Sequence, residues 1–338
     1  QTINNTSFDK YGNALTQNVL TEFYSSGVFS FSEYQAISNN TYDIHSRLKY
    51  SEVRSYSDAL GTTFKDLQVI NYLSYDVYGN ALNETIDTYS TTVIGSALID
   101  SKVIDNTYSD AKAARRGNAS TTIVSRYNSL DHVSANLIDQ TITNTTLFDT
   151  KGNALTQTQD KSVLDSTNTL IKITHSDITN SDYDTRGDAG TQRIATYIVD
   201  GTVSTLQTYQ VFTNRSFDVS RNVVNQMVLT YSDLNSTTLL DCQEIRSSNF
   251  FSSGVAAAQT IVTYSDADKS SIIGVKAIAN SDVSSGGNVG RSIITTYSTA
   301  TVANSGTGDI TVKDADALTR QTINNTSFDK YGNALTQN

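Results

Sequence analysis

The sequence contains no proline, no tryptophan, one cysteine, one methionine and three histidines in 338 residues. A lone Cys242 excludes an internal disulfide framework. The histidines, His45, His132 and His175, stand at unrelated positions far apart in the chain, so no histidine-built metal centre or nucleophile constellation is spelled out. No apolar run approaches the roughly 18 residues that a membrane-crossing helix requires. Charged residues make up only 17% of the chain and leave a net charge of -10. Such an acidic balance argues against partnership with nucleic acid or an anionic membrane surface, both of which call for clustered Lys and Arg. With 37% hydrophobic residues the chain is also too poor in large aliphatics for a thick globular core.

What is present is repetition. Gln1 to Asn18 and Gln321 to Asn338 carry the same eighteen letters, QTINNTSFDKYGNALTQN, at an offset of 321 − 1 = 320. Diluted versions of that stretch start at Ile3, Ile37, Ile70, Ile104, Ile142, Ile178, Phe212, Ile245, Ile278 and Ile323, with spacings of 34, 33, 34, 38, 36, 34, 33, 33 and 45. A period in this range is the mark of stacked repeat architectures. The expectation is a window on a longer tandem array. Residues 1–320 form one long period of nine β units, each of about 34 residues, and residues 321–338 start the next identical period. Two stretched units, around Ala111 to Arg116 and within Ala300 to Ala317, are expected to carry surface loops.

Each unit punctuates itself twice. Asp is followed three residues later by Gly-Asn at Asp9, Gly12 and Asn13, at Asp76, Gly79 and Asn80, and at Asp149, Gly152 and Asn153; Asp184 with Gly187 is close to the same pattern. The Asp side chain can accept from the turn's amides, and Gly takes the positive φ of a type I turn with a G1 bulge. Tyr-Ser-Asp at Tyr56, Tyr231 and Tyr264 supplies the second turn. The stretches between are rich in Thr, Val, Ile and Tyr, which read as strands and show no sustained helical stripe. The fold class is therefore all-β, a tandem β-repeat array. The turn chemistry points to an antiparallel hairpin meander or coiled sheet. The near-constant unit length and the recurring Asn39, Asn106, Asn144, Asn180, Asn214 and Asn280 point instead to a parallel β-solenoid with Asn ladders, and both arrangements stay open.

The pattern [YF]-D-x-x-G-N at Phe8 to Asn13, Tyr75 to Asn80 and Phe148 to Asn153 resembles the YD repeat of RHS and teneurin-type extracellular proteins. That resemblance implies hairpins wound into a β-sheet shell and an extracellular or cell-surface setting. It does not carry over the family's usual spacing, which is shorter, or its GRL continuation.

The recurring carboxylates Asp9, Asp43, Asp76, Asp110, Asp149, Asp184 and Asp218 line up by unit position. Turn capping is their simplest use. A row of calcium ligands at Asp9, Asp76, Asp149, Asp184 and Asp218 is the sharper alternative, although no EF-hand or RTX loop is present. Sequons at Asn5, Asn39, Asn83, Asn118, Asn144, Asn214 and Asn235 offer glycan acceptors, in a composition that produces such triplets by chance. The functional expectation is a structural subunit of a secreted fibre that self-associates, with no catalysis and no cofactor. The alternative is the repeat stalk of a cell-surface adhesin.

Overall fold

A computed structural model describes residues 1–25, 28–329 and 332–338. Two members of the second eighteen-residue copy, Lys330 and Tyr331, lie outside the described residues. Contacts divide the chain into two compact units, Gln1–Asn144 with Lys161–Ile171, and Thr145–Asp160 with Lys172–Asn338.

The first unit is a meander. Its strands are β1 (Thr2–Phe8), β2 (Ala14–Ser25), β3 (Val28–Tyr42), β4 (Leu48–Tyr56), β5 (Phe64–Tyr75), β6 (Ala81–Tyr89), β7 (Leu98–Thr107) and β8 (Thr121–Tyr127), followed by the start of β9 (Leu137–Phe148). Each pairs antiparallel with its sequence neighbour. After β10 (Ala154–Leu164), the second unit repeats the scheme with β11 (Leu170–Tyr183), β12 (Ala189–Asp200), β13 (Val203–Phe217), β14 (Val223–Tyr231), β15 (Leu239–Phe250), β16 (Ala256–Tyr264), β17 (Ile272–Val283) and β18 (Val289–Tyr297). β18 pairs with β21 (Ala317–Phe328), and β21 with β22 (Ala334–Gln337). Because the described pairs are antiparallel, the parallel solenoid is overturned. The reason is local: three-residue loops reverse the chain at each Asp, which a solenoid corner does not do.

Those loops take the expected form. In the first of them the Asp9 amide donates to Asn13 O (2.9 Å) and the Gly12 amide to Asp9 O (3.2 Å). Gly12, Gly79, Gly152 and Gly187 have φ of 89°, 90°, 86° and 88°. Two equivalent turns put a side chain in the same left-handed conformation, Ser46 at 60° and Arg221 at 70°. The duplicated ends also agree: Asn5↔Gln17, Ser7↔Thr16 and Phe8↔Ala14 in one copy recur as Asn325↔Gln337, Ser327↔Thr336 and Phe328↔Ala334 in the other, with the same bulges.

The core is thin. In the first unit Leu67, Val69 and Tyr89 cluster with Tyr50, Phe64 and Leu98, beside buried Ser51, Ser55 and Ser101. Both insertions depart from the surface-loop expectation. At the first, α1 (Ala111–Arg115) is capped by Asp110, whose carboxylate accepts from the Lys112 and Ala113 amides, and it buries Ala113 and Ala114. At the second, β19 (Thr301–Val302), α2 (Ala303–Gly306) and β20 (Ile310–Thr311) place Ala300, Val302, Ile310 and Val312 on a core of Cys242, Val262, Tyr264 and Val275. A sheet face with few aliphatics of its own recruits them from the insertion.

The left-handed turn position supplies a first prediction. Gly79→Ala adds a Cβ that meets nothing within 4 Å, so its penalty is conformational alone, about 1–2 kcal/mol. The reverse change, Ser46→Gly, removes that strain and is expected to stabilise its hairpin. Local amide exchange at the two turns should move in opposite directions.

Candidate functional site at the Asp-turn edge

The recurrent chemistry-bearing residues gather where strands meet the Asp turns. In the Asp9 turn the carboxylate accepts from the Tyr11 amide (2.8 Å) and the Asn13 amide (2.9 Å) through one oxygen. Its other oxygen accepts from Asn13 Nδ2 (2.8 Å). Asp76 with Asn80 and Asp149 with Asn153 repeat these three bonds. Asp218 holds Asn222 in the same way, and Asp184 accepts from the Arg186 and Asp188 amides. Among the described residues no group of three or more His, Cys, Asp or Glu side chains converges. Each carboxylate named as a calcium candidate is thus engaged by its own turn.

Successive turns also reach one another. Asn13 Nδ2 donates to Ser46 Oγ (3.3 Å), Arg47 Nη1 to Asp76 O (3.2 Å) and Asn80 Nδ2 to Ala114 O (2.7 Å). In the second unit Arg186 Nη1 donates to Asp218 O (3.0 Å), and Arg221 Nη2 to Gly187 O (3.0 Å). Units without the Asp keep the loop. Ser284 Oγ substitutes at one, accepting from the Asn288 amide (3.0 Å), and at the other the backbone bonds recur, from the Phe251 amide to Val255 O (2.9 Å) and from the Gly254 amide to Phe251 O (2.8 Å).

The recurring Asn residues have a function that a stacked ladder does not describe. β2 and β3 are in register only from Thr16↔Ser38, so the Ala14 carbonyl lies beyond the paired residues of the two strands. A bulge after Asn39 turns its amide back, and Asn39 Nδ2 donates to Ala14 O (3.1 Å), joined there by the Tyr42 hydroxyl (2.6 Å). Asn39 Oδ1 then accepts from Ser51 Oγ on the following strand (2.8 Å). One side chain thereby ties three strands. The same bond joins Asn106 to Ala81 O (3.2 Å), Asn180 to Ala154 O (3.1 Å), Asn214 to Ala189 O (2.9 Å), Asn280 to Ala256 O (3.0 Å) and Asn325 to Val289 O (2.9 Å). Their Oδ1 atoms accept from Thr122, Gln192, Gln226, Ser292 and Gln337. Tyr183 adds its hydroxyl at Ala154 O, and Tyr75 caps Leu48 O.

This arrangement bears on the sequons. Asn39, Asn83 and Asn214 already use the amide nitrogen a glycan would occupy, donating to Ala14 O, Asp105 and Ala189 O. Asn5 and Asn144 accept from Gln17 and Thr121, and Asn235 lies exposed in a Tyr-Ser-Asp turn. Asn118 sits just beyond α1.

Several other polar groups are paired. His132 Nε2 lies 2.8 Å from Ser101 Oγ, which donates to Asp87, and Ser101 is fully buried. His175 sits between Asp160 and Asp177, and Lys172 also pairs with Asp160. Burial pushes the Cys242 thiol up to about 11. Glu244, 0% exposed, was not singled out by the sequence; it accepts two bonds from Arg215 (2.7 and 2.8 Å), one from Arg246 (2.9 Å) and one from Lys269 (2.5 Å). Burial raises its pKa, and those cations outweigh burial and hold it below the usual value. An open cavity of about 920 Å³ lies at the turn edge of the first unit, lined by His45, Arg47, Tyr75, Asp76, Tyr78 and Tyr108. Arg47 is committed there to Asp43 (2.6 Å) and stands 4.7 Å from the Tyr75 ring centre.

Comparison with known proteins adds little. No family model matches the chain, and no curated protein sequence matches it. Among solved structures, the crystal structure of TcdB2-TccC3 is 12% identical over 86% of this chain and 20% of that chain, with a TM-score of 0.17. The same complex without its hypervariable C-terminal region is 12% identical with equal coverage and a TM-score of 0.14. The chain spans about a fifth of the length of either (20%). Among the described residues no helix is long and apolar enough to cross a membrane.

Two predictions follow from the site's geometry. Asn280→Ala strips the donor from Ala256 O and leaves Ser292 without its acceptor, which should lower stability by about 1–3 kcal/mol. Urea unfolding reads it. The second concerns acid. Burial pushes the Asp9, Asp43, Asp76 and Asp149 carboxyls up, and their turn hydrogen bonds more than reverse this, holding Asp43 at about 2 and the others below the ordinary value. Asp184 is lowered chiefly by the Asp188 amide. A depressed folded pKa stabilises the fold above the unfolded value of about 4 and loses that contribution as pH falls through the folded value. The melting temperature should therefore drop between pH ~4 and ~2, and Asp43→Asn with Asp76→Asn should flatten the drop.

Proposed function

We propose that this chain is a structural protein without catalysis, a segment of an extracellular fibre assembled from stacked β units. The single observation that carries this reading is the Asn relay. At most of the Asp-turn ends a strand's carbonyl is completed by its neighbour, by an Asn at Ala14, Ala81, Ala154, Ala189, Ala256 and Val289 and by Tyr75 at Leu48. Such units are finished by stacking and by nothing else, so stability grows with the number stacked, as nearest-neighbour repeat arrays do. The polar side chains at the turn edge are spent on one another, which suits a scaffold and leaves little for substrate chemistry. The [YF]-D-x-x-G-N turns at Phe8, Tyr75 and Phe148, with their resemblance to YD repeats, support an extracellular setting.

Electron microscopy of the native material with a gold-labelled antibody against this chain tests the proposal. Label along ordered filaments with an axial repeat is the expected result. Label confined to isolated projections with a separate terminal domain would favour a stalk, and uniformly dispersed label on soluble particles would defeat both.

A further inference from the structure

The first unit carries exposed apolar side chains at its turn tips on both edges of the sheet. On the Asp-turn edge Ile44 is 95% exposed and Val77 91%. On the opposite edge, where the turns follow Tyr56 and Tyr89, Leu60 is 85% exposed and Val93 61%, with Ile94 beside it. Single exposed aliphatics need no explanation, but these are confined to one part of the chain. Between residues 149 and 288 the second unit's Asp-turn edge uses the same loop. Its tips read Thr150-Lys151, Thr185-Arg186, Ser252-Ser253 and Ser285-Gly286, with Val219 the exception. The loop therefore does not require an apolar tip. The cavity of about 920 Å³ opens among the apolar ones, and its walls are largely aromatic. Arg47 comes from the 43–47 turn, Tyr75, Val77 and Tyr78 from the 76–80 turn and its approach, and Tyr108 and Ser109 from the segment leading into α1.

We infer that this cavity receives the 90–97 turn of a second copy of this chain, with Val93 and Ile94 lying against Tyr75, Tyr78 and Tyr108. The strand order selects that turn. The gap lies between the β5–β6 turn and the β7–β8 connection, two strands or about 9–10 Å apart, and on the opposite edge the β6–β7 turn stands midway between them. A copy displaced along the strand direction without rotation thus brings Val93 and Ile94 to the gap. Its neighbours agree. The same displacement sets Leu60 between Ile44 and Val77, and it brings Asp131, in the β8–β9 connection, beside α1. There residues 111–116 hold Lys112, Arg115 and Arg116 and no acid. The entering turn, residues 90–97, carries no charge at all, as burial against aromatic rings requires. The contact joins unlike surfaces of the two copies, so it continues sideways as an open series. One filled cavity is a small interface, and an array of copies multiplies it. This docking deepens the fibre reading by joining arrays edge to edge, and rests on that reading for its use in the organism.

Disulfide trapping in the full chain tests the docking. Ser109→Cys and Val93→Cys are made in separate copies; both positions are exposed, and the native Cys242 is fully buried, which keeps it out of the exchange. The two variants are mixed in equal amounts in a glutathione redox buffer. Chance pairing yields as much mixed disulfide as the two symmetric ones together. Docking raises the effective concentration of one thiol at the other, so the mixed product is expected in roughly tenfold excess. Adding Ile94→Asp to the V93C copy should bring the ratio back to chance. A chance ratio for the parent pair, an excess of the symmetric S109C product, or a preference that survives Ile94→Asp each overturns the docking. The fibre reading stands or falls separately, on the microscopy: filaments can form without this preference, and the preference can be measured in solution where label marks only isolated projections.

Discussion

The structure depends on one unmet valence. In each hairpin the strand leaving an Asp turn begins two residues before its next neighbour falls into register, so a main-chain carbonyl, Ala14 O, Ala81 O, Ala189 O or Ala256 O, stands without a ladder donor. An unsatisfied carbonyl in a half-buried place costs about 1–3 kcal/mol. The following strand answers it with the side-chain amide of Asn39, Asn106, Asn214 or Asn280, beside a bulge at Asn39 and Asn214 and in unbroken register at Asn106 and Asn280. At Asn39 and Asn180 a Tyr three residues later, Tyr42 or Tyr183, joins the Asn on the same oxygen. The carbonyl has two lone pairs, and at Ala14 and Ala154 both are used, one by Asn and one by Tyr.

That local solution explains how so polar a chain holds a fold. With few aliphatics, burial cannot supply most of the stabilisation, and the interior admits Ser, Thr and Asp freely: Ser51, Ser55, Ser101, Thr88 and Thr230 are buried on the sheet. Hydrogen-bonded side chains supplement the thin core: Ser51 donates to Asn39 and Ser101 to Asp87, while Ser55 Oγ and Thr88 Oγ1 are buried without a partner among the described residues. Where the chain does need apolar area, it imports it. The insertion after β18 lays Val302, Ile310 and Val312 over Cys242 and Val275, and its main chain is fixed by Arg246 on Gly308 O (2.8 Å) and Asn225 on Thr307 O (2.8 Å). Arg246 also reaches Glu244, so the buried carboxylate anchors the cations that hold the insertion in place. A buried charge of this kind is stable only with partners, and here it has three.

Much of the architecture was legible before any coordinates. The Asp9-Gly12-Asn13 spacing names a loop type, and a loop type that reverses the chain forces an antiparallel neighbour. The recurring Asn was visible but misleading, because equal spacing along the sequence is produced both by coils that stack and by hairpins that alternate. Only the register decides, and register depends on bulges at Asn5, Asn39 and Asn214, where the residues that follow, Thr6, Asn40 and Arg215, share no signature. The insertions were placed correctly and described wrongly, since Ala113 and Ala114 look like loop filler until the sheet beneath them is known. Glu244 was invisible for a different reason. Its partners Arg215, Arg246 and Lys269 come from two strands and a turn, and nothing in their spacing announces a cluster.

The same physics accounts for the irregularity of the repeat. A unit can lose its Asp, as at Phe251 and Ser284, because the loop's two backbone bonds survive. It can lose its Gly, as at Ser46 and Arg221, because the left-handed conformation costs a side chain only about 1–2 kcal/mol, and Arg221 offsets part of that by pairing with Asp188 (2.5 Å). It can even exchange the loop for a helix at α1, provided something still answers the turn before it, and Ala114 O does, accepting from Asn80. What recurs most widely is the loop's pair of backbone bonds, and at most junctions a side-chain donor at the Asp-turn end of one strand also reaches a carbonyl on the strand before it. Sequence drift is tolerated wherever those bonds survive, which is why units that share few letters keep nearly the same length.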